Sequence, residues 1–321
     1  VNLFRLVLVF LSFAVFATSE EVRIGKLENG LSYYIQHNEF PKDKASLQLI
    51  VKVGSIYETE EERGIAHFLE HMLFRGSENF SDWEIVKYLE SIGAQFGADT
   101  NAYTTFEHTT YLLQVPMEKK ENLDQAILIL SDFAGRATLS KDLIEKERTV
   151  VLDECNRAEA QSAYRMHQKL FNELFAGSAY ENRLPLGLKE VVLHCDPILI
   201  QNFYKKWYRP NRMAIIAVGD FDVALVEEKI KEYFSSFAPG DETLLSIDVD
   251  FSKDLKPLFI VEEEEIFVQG SFIKPYQKEA QSEDAEILIR ESLTSSFATS
   301  ILSQRLAILS KQPSPPFIWA G

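Results

Sequence analysis

Two imidazoles and a carboxylate fall within five residues at His67-Phe68-Leu69-Glu70-His71. On an α-helix, at about 100° per residue, Glu70 lies at about 300° and His71 at about 40° from His67, so all three share one face. A catalytic zinc ion takes three protein ligands, imidazole and carboxylate among them, and keeps a fourth position for water. Histidines at i and i+4 therefore need a third ligand from elsewhere in the chain. Glu70, on the same face, is placed to take a proton from a zinc-bound water as general base. This order of residues, H-x-x-E-H, is the inverted zincin pattern. The chain has six histidines, and two of them stand here among Ile65, Ala66, Phe68, Leu69, Met72, Leu73 and Phe74. A helix face so wrapped in hydrocarbon is not a solvated one. Histidine and glutamate buried side by side need a partner, and a metal ion supplies it.

The segments around this helix define what must position it. Val22 to Leu27, Asn29-Gly30 and Leu31 to Gln36 read as a hairpin, Asn-Gly suiting the positive φ angles of a type I′ turn. Ala45 to Val53 is a third strand. After the histidine helix, Ser81-Asp82-Trp83-Glu84 has the form of a capping box opening a second helix that ends at Gly93. An extended stretch covers Ala94 to Thr105, and Thr109 to Val115 is a strand. Helical patterns follow over Lys119 to Gly135 and, behind Ser140 as cap, over one long run from Lys141 to about Phe175. Asp196-Pro197 opens a helix to Trp207, Arg212 to Val218 is a buried strand, and Asp222 starts a helix to Phe234. Strands and helices in runs mean α+β, with a mostly antiparallel sheet packed on helices. Ser235 to Asp248 is a linker. Beyond it, strands at Leu258 to Glu262 and Ile266 to Lys274 and a helix from Glu283 to Ser310 read as an incomplete second unit.

A third ligand can come from the helix that starts at Lys141, which carries Glu145, Glu147, Asp153, Glu154 and Glu159. Glu147 and Glu154 are two turns apart and share a face, but spacing does not choose among the five. At this level the chain resembles the pitrilysin/insulinase metallopeptidases, the family that includes the mitochondrial processing peptidases. The resemblance runs through Gly64 to Ser77, Asn101-Ala102-Tyr103-Thr104, Glu147-Arg148, Asp153-Glu154, Leu184-Pro185-Leu186-Gly187 and Trp207-Tyr208-Arg209-Pro210-Asn211, in that order.

The resemblance implies that His67, His71 and Glu154 hold one Zn2+ per chain, with Glu70 as general base and Glu147 as a supporting carboxylate of the catalytic group. It implies that Asn101 and Ala102 lie where a substrate adds as a strand. The implied activity is a zinc-dependent endopeptidase acting on peptides or unfolded polypeptides, with a zinc-bound water as nucleophile. The same family includes inactive halves, so the alternative is a partner-dependent or non-catalytic subunit, short of its C-terminal half. An H-x-x-E-H helix also occurs in small thioether hydrolases that use a cysteine ligand, for which Cys155 or Cys195 would serve.

A net charge of −16 excludes a phosphate-neutralising surface and hence nucleic-acid partners. Two cysteines make neither a disulfide framework nor a zinc ribbon. Arg5, the apolar run Leu6 to Ala17 and the small residues Ala17, Thr18 and Ser19 have the form of a secretory signal peptide. The expected division is a signal peptide over 1–19, a peptidase domain over 20–240 and the start of a truncated second domain over 241–321. Export follows, to the periplasm if the source is Gram-negative, with an uncleaved N-terminal anchor as the alternative. The expected partners are a peptide substrate and a second peptidase subunit or C-terminal half.

Overall fold

The computed structural model describes residues 22–241, 259–261 and 285–314, so the expected signal peptide and most of the stretch between linker and last helix lie outside it. The described residues divide into two units, 22–241 with 259–261, and 285–314. In the first unit the strands are β1 (Arg23–Lys26), β2 (Ser32–His37), β3 (Lys44–Val51), β4 (Thr100–Thr104), β5 (Thr109–Pro116) and β6 (Met213–Gly219). Its helices are α1 (Ile65–Leu73), α2 (Glu84–Ser91), α3 (Lys120–Gly135), α4 (Lys141–Glu159), α5 (Ser162–Leu174), α6 (Lys189–His194), α7 (Pro197–Trp207) and α8 (Val223–Phe234). The second unit is the helix α9 (Ala285–Ser310). None of the described helices is long and apolar enough to cross a membrane.

The six strands form one sheet in the order β1-β2-β6-β3-β5-β4. All neighbours are antiparallel except β2 and β6, which run parallel. The α+β class with a mostly antiparallel sheet is thus the observed one. Period-two alternation sorts the two faces. Ile35, Leu47, Leu49, Tyr111, Leu113, Ile215 and Ala217 are buried in register under the helices. Ser46, Gln48, Ile50, Ile216 and Val218 are the half-exposed residues of the opposite face.

Three local expectations are corrected. The β1–β2 hairpin forms, but its turn spans Leu27 to Leu31 and only Gly30 takes a positive φ, so it is not type I′. Buried Asn29 instead donates to the carbonyls of Phe234 and Phe237, tying the turn to the end of α8. The run expected from Lys141 to Phe175 is two helices, broken at Ala160-Gln161. The second helix starts at Glu84 rather than behind Ser81, because Trp83 is left-handed (φ 65°) and the Asp82 carboxylate is engaged by Arg75.

α1 packs its apolar residues Ile65, Phe68, Leu69, Met72 and Leu73 into the core, against α4 and α7. Its start needs two glycines. Gly64 caps it at φ 101°, and a Cβ on Gly187 would stand 2.2 Å from the Gly64 Cα, so the Leu186-Gly187 turn can pass only as glycine against glycine. The orphan amides of the first turn go to one buried side chain. Glu58 accepts from Gly64 N at 3.0 Å and Ala66 N at 2.8 Å.

Burial pushes the Glu58 carboxyl up to about 8, against the pull of those amides. An acid raised in the folded state binds its proton more tightly there than in the unfolded chain, so stability falls as pH rises from about 4.5 towards 8. Chemical denaturation across pH 5 to 8 is expected to show the wild type losing stability relative to Glu58→Gln, by at most about 1.4 kcal/mol per pH unit. Parallel curves would contradict a buried, titrating Glu58.

Candidate metal centre

The exposed end of α1's polar face opens into a cavity of about 850 Å³. His67, Glu70 and His71 line it from α1, Glu147, Val150 and Glu154 from α4, and Asn101 to Thr104 from β4. α4 is held in place by Arg148, whose guanidinium donates to the carbonyls of Val192 and Cys195 at the end of α6. This clamp leaves Glu147 and Glu154, two turns apart, on the side facing α1.

His67, His71 and Glu154 each bring one ligand atom to a common point, all within 4.8 Å of one another. Glu154 Oε2 is 3.6 Å from His67 Nε2 and 3.4 Å from His71 Nε2. Tetrahedral zinc with ligand bonds of roughly 2.1 Å sets its donors about 3.4 Å apart, and the two distances from Glu154 match that spacing. The hydrogen bonds fit as well. His71 Nδ1 lies 3.0 Å from Glu147 Oε1, which as a carboxylate only accepts, so the ring proton belongs on Nδ1. The bare Nε2 then faces the Glu154 oxygen, lone pair against lone pair. His67 is similarly placed, and its buried Nδ1 has no hydrogen-bond partner. Three acceptors converging in this way call for a cation between them.

Without that cation a proton must do its work. Burial lowers the His71 pKa, but the bonds to Glu147 and Glu154 more than offset it and push the ring up to about 9. Burial and the neighbouring His71 charge push His67 down to about 4. One imidazole is therefore charged and one neutral at pH 7, the charged one bridging two carboxylates.

Glu70 does not join the three. It is buried, and its Oε2 accepts from Thr104 Oγ1 at 2.6 Å. Burial raises its pKa while the Thr104 bond pulls it down. Asn101 and Ala102 lie on β4, the edge strand, where the Asn101 side-chain oxygen accepts from the Ala102 amide at 2.9 Å. Glu147 is next to His71 and turns its second oxygen to Arg75. Neither cysteine belongs to the cluster: Cys155 is packed in the core and Cys195 Sγ is bonded by Arg148, which removes the cysteine-ligand alternative. Thr104 and Arg75 were missed as functional residues by reading the sequence, although both lie inside the quoted blocks. Their roles depend on which side chains the fold sets opposite them, which no spacing records.

Comparison with known proteins agrees with this geometry. The family model described as Insulinase (Peptidase family M16) matches residues 33–185, and that described as Peptidase M16 inactive domain matches residues 199–307. A zinc protease PQQL-like protein of Arabidopsis thaliana is 38% identical over 91% of this chain and 31% of its own length. The probable zinc protease PqqL of Escherichia coli (strain K12) is 35% identical over 68% of the chain and 24% of its own. The chain thus spans less than a third of the length of these relatives. The crystal structure of the first half of the periplasmic protease PqqL from Escherichia coli superposes with a TM-score of 0.67 at 33% identity, covering 73% of this chain and 50% of that one. With both family models matched in order and the H-x-x-E-H helix facing its glutamate, the chain belongs to the insulinase family of peptidases, M16.

Proposed function

We propose that the protein is a zinc-dependent endopeptidase in which His67, His71 and Glu154 hold the metal and Glu70 is the general base. The convergence of two imidazole nitrogens and one carboxylate oxygen within 4.8 Å carries this reading. Bound zinc supplies Lewis acidity, lowering the pKa of water and polarising a peptide carbonyl. The remaining work falls to the chain's own groups. Thr104 holds the Glu70 carboxylate in place through Oε2, and that carboxylate takes up a proton from the attacking water and passes it to the leaving amine. Burial, which holds the Glu70 pKa above the ordinary carboxylate range, suits it to both transfers. Glu147 keeps the His71 proton on Nδ1.

The β4 edge at Asn101 and Ala102 is proposed to receive an extended substrate as an added strand. The Ala102 amide is already occupied by the Asn101 side chain, so an incoming backbone exchanges with that side chain rather than meeting a bare edge. On this reading residues 20–240 carry the peptidase site, and the substrate is an unfolded or extended polypeptide. Export is part of the proposal, supported by the apolar run Leu6 to Ala17 and by likeness to a periplasmic protease.

Glu70→Gln is expected to keep stoichiometric zinc and lose peptide hydrolysis by at least about 100-fold, whereas His67→Ala and Glu154→Ala lose the metal; metal analysis beside a fluorogenic peptide assay reads both. Full hydrolysis by Glu70→Gln would remove it as the base. Because His71 must give up its proton to bind, zinc affinity is expected to rise about tenfold per pH unit from pH 6 and to level off near 9, with close to one proton released per zinc at pH 7. Calorimetry in buffers of different ionisation enthalpy counts that proton, and a pH-independent affinity would refute the assignment.

A further inference from the structure

A chain of contacts runs from His71 to the rim of the cavity, and the proposed chemistry leaves most of it unused. Glu147 accepts from Arg75 Nη1 at 2.6 Å through the oxygen that does not touch His71. Arg75 spends its other edge on Asp82, with Nε to Oδ1 at 2.9 Å and Nη2 to Oδ2 at 3.1 Å. Lys146 Nζ adds a contact to Asp82 Oδ2 at 3.5 Å, and the Trp83 ring covers the guanidinium at 4.7 Å. The Arg75 and Glu147 side chains are only 6% and 5% exposed, so neither can exchange its partner for water.

The loop that returns Asp82 and Trp83 over Arg75 is itself anchored. Buried Asp132 accepts from Ser77 Oγ, from Asn79 N at 3.3 Å and from Asn79 Nδ2 at 2.8 Å. Trp83 stays left-handed although it is a bulky residue, a conformation that costs on the order of 1 kcal/mol or more and persists only where the surroundings impose it. An arginine is needed at position 75 because one planar fork bonds two carboxylates at once, which a lysine ammonium cannot do in this geometry.

We propose that Arg75, held by Asp82 and Trp83, is a positioning residue for His71. It fixes one oxygen of Glu147, so the other is aimed at His71 Nδ1 and the ring presents Nε2 towards Glu154. The affinity of the centre for a divalent cation then depends on the Asp82-Trp83 loop, which reaches no metal ligand itself. The inference rests on the proposed metal role of His71.

Zinc affinity of the full chain, measured by competition with a chromophoric chelator, tests it. Arg75→Gln, Asp82→Asn and Glu147→Gln are each expected to weaken zinc binding by about 10-fold or more. The double variant Arg75→Gln/Glu147→Gln should bind no worse than the weaker single, because the two act as one unit. Melting in EDTA is the control, and Asp82→Asn, at a partly exposed position, keeps the test open if Arg75→Gln fails to fold. Three results would overturn the proposal: affinities of Arg75→Gln and Asp82→Asn within about twofold of wild type, losses that multiply in the double variant, or losses that merely follow metal-free stability. A wild-type chain that binds no zinc would instead overturn the metal centre itself.

Discussion

The approach of α1 to α4 is the constraint on which the rest depends. Two imidazole nitrogens from one helix and a carboxylate oxygen from another are brought within 4.8 Å, and without a cation such a grouping repels itself or binds a proton. Apolar packing holds the donors there. Phe68, Leu69 and Met72 bury the reverse side of α1, Ile144, Val151 and Cys155 bury the flank of α4 beside its two glutamates, and Arg148 locks α4 to α6. Glu58 and the Gly64–Gly187 contact set where α1 begins, and therefore which of its faces looks into the cavity.

Much of this was legible in the sequence because it rests on periodicity. β-rich and apolar runs marked β3, β5 and β6, and the i, i+3, i+4 pattern placed His67, Glu70 and His71 on one face. Caps that act within a few residues were equally readable: Ser140 and Asp196 accept the amides their positions imply. What failed were features decided by distant partners. Asn29-Gly30 has the composition of a two-residue turn, but Asn29 is needed by carbonyls over two hundred residues away. Ser81-Asp82-Trp83-Glu84 has the composition of a capping box, and Glu84 does reach back to the Ser81 amide at 2.8 Å, but Trp83, left-handed over Arg75, delays the helix to Glu84. The break at Ala160-Gln161 carries neither glycine nor proline, so no local signal announces it.

The choice of Glu154 over its neighbours shows the same division. Helical spacing put Glu147 and Glu154 on one face without choosing among the five acids, the family resemblance implied Glu154 as ligand, and the fold sets Glu154 at the imidazole Nε2 atoms and Glu147 behind His71 at Nδ1. Two carboxylates on one helix thus meet the two nitrogens of a single ring, and the difference between ligand and support is a difference of which nitrogen each one faces.

The parallel pairing of β2 with β6 has a consequence for synthesis. β6 is the last strand of the sheet to be made, yet it lies between β2 and β3, two of the first. A nascent chain that already carries all three metal donors has a gap in the middle of the sheet until Met213–Gly219 has left the ribosome. Contacts of such sequence separation form slowly. The unfinished chain must therefore keep apolar strand edges from pairing elsewhere, and the centre is assembled for its metal only as folding closes.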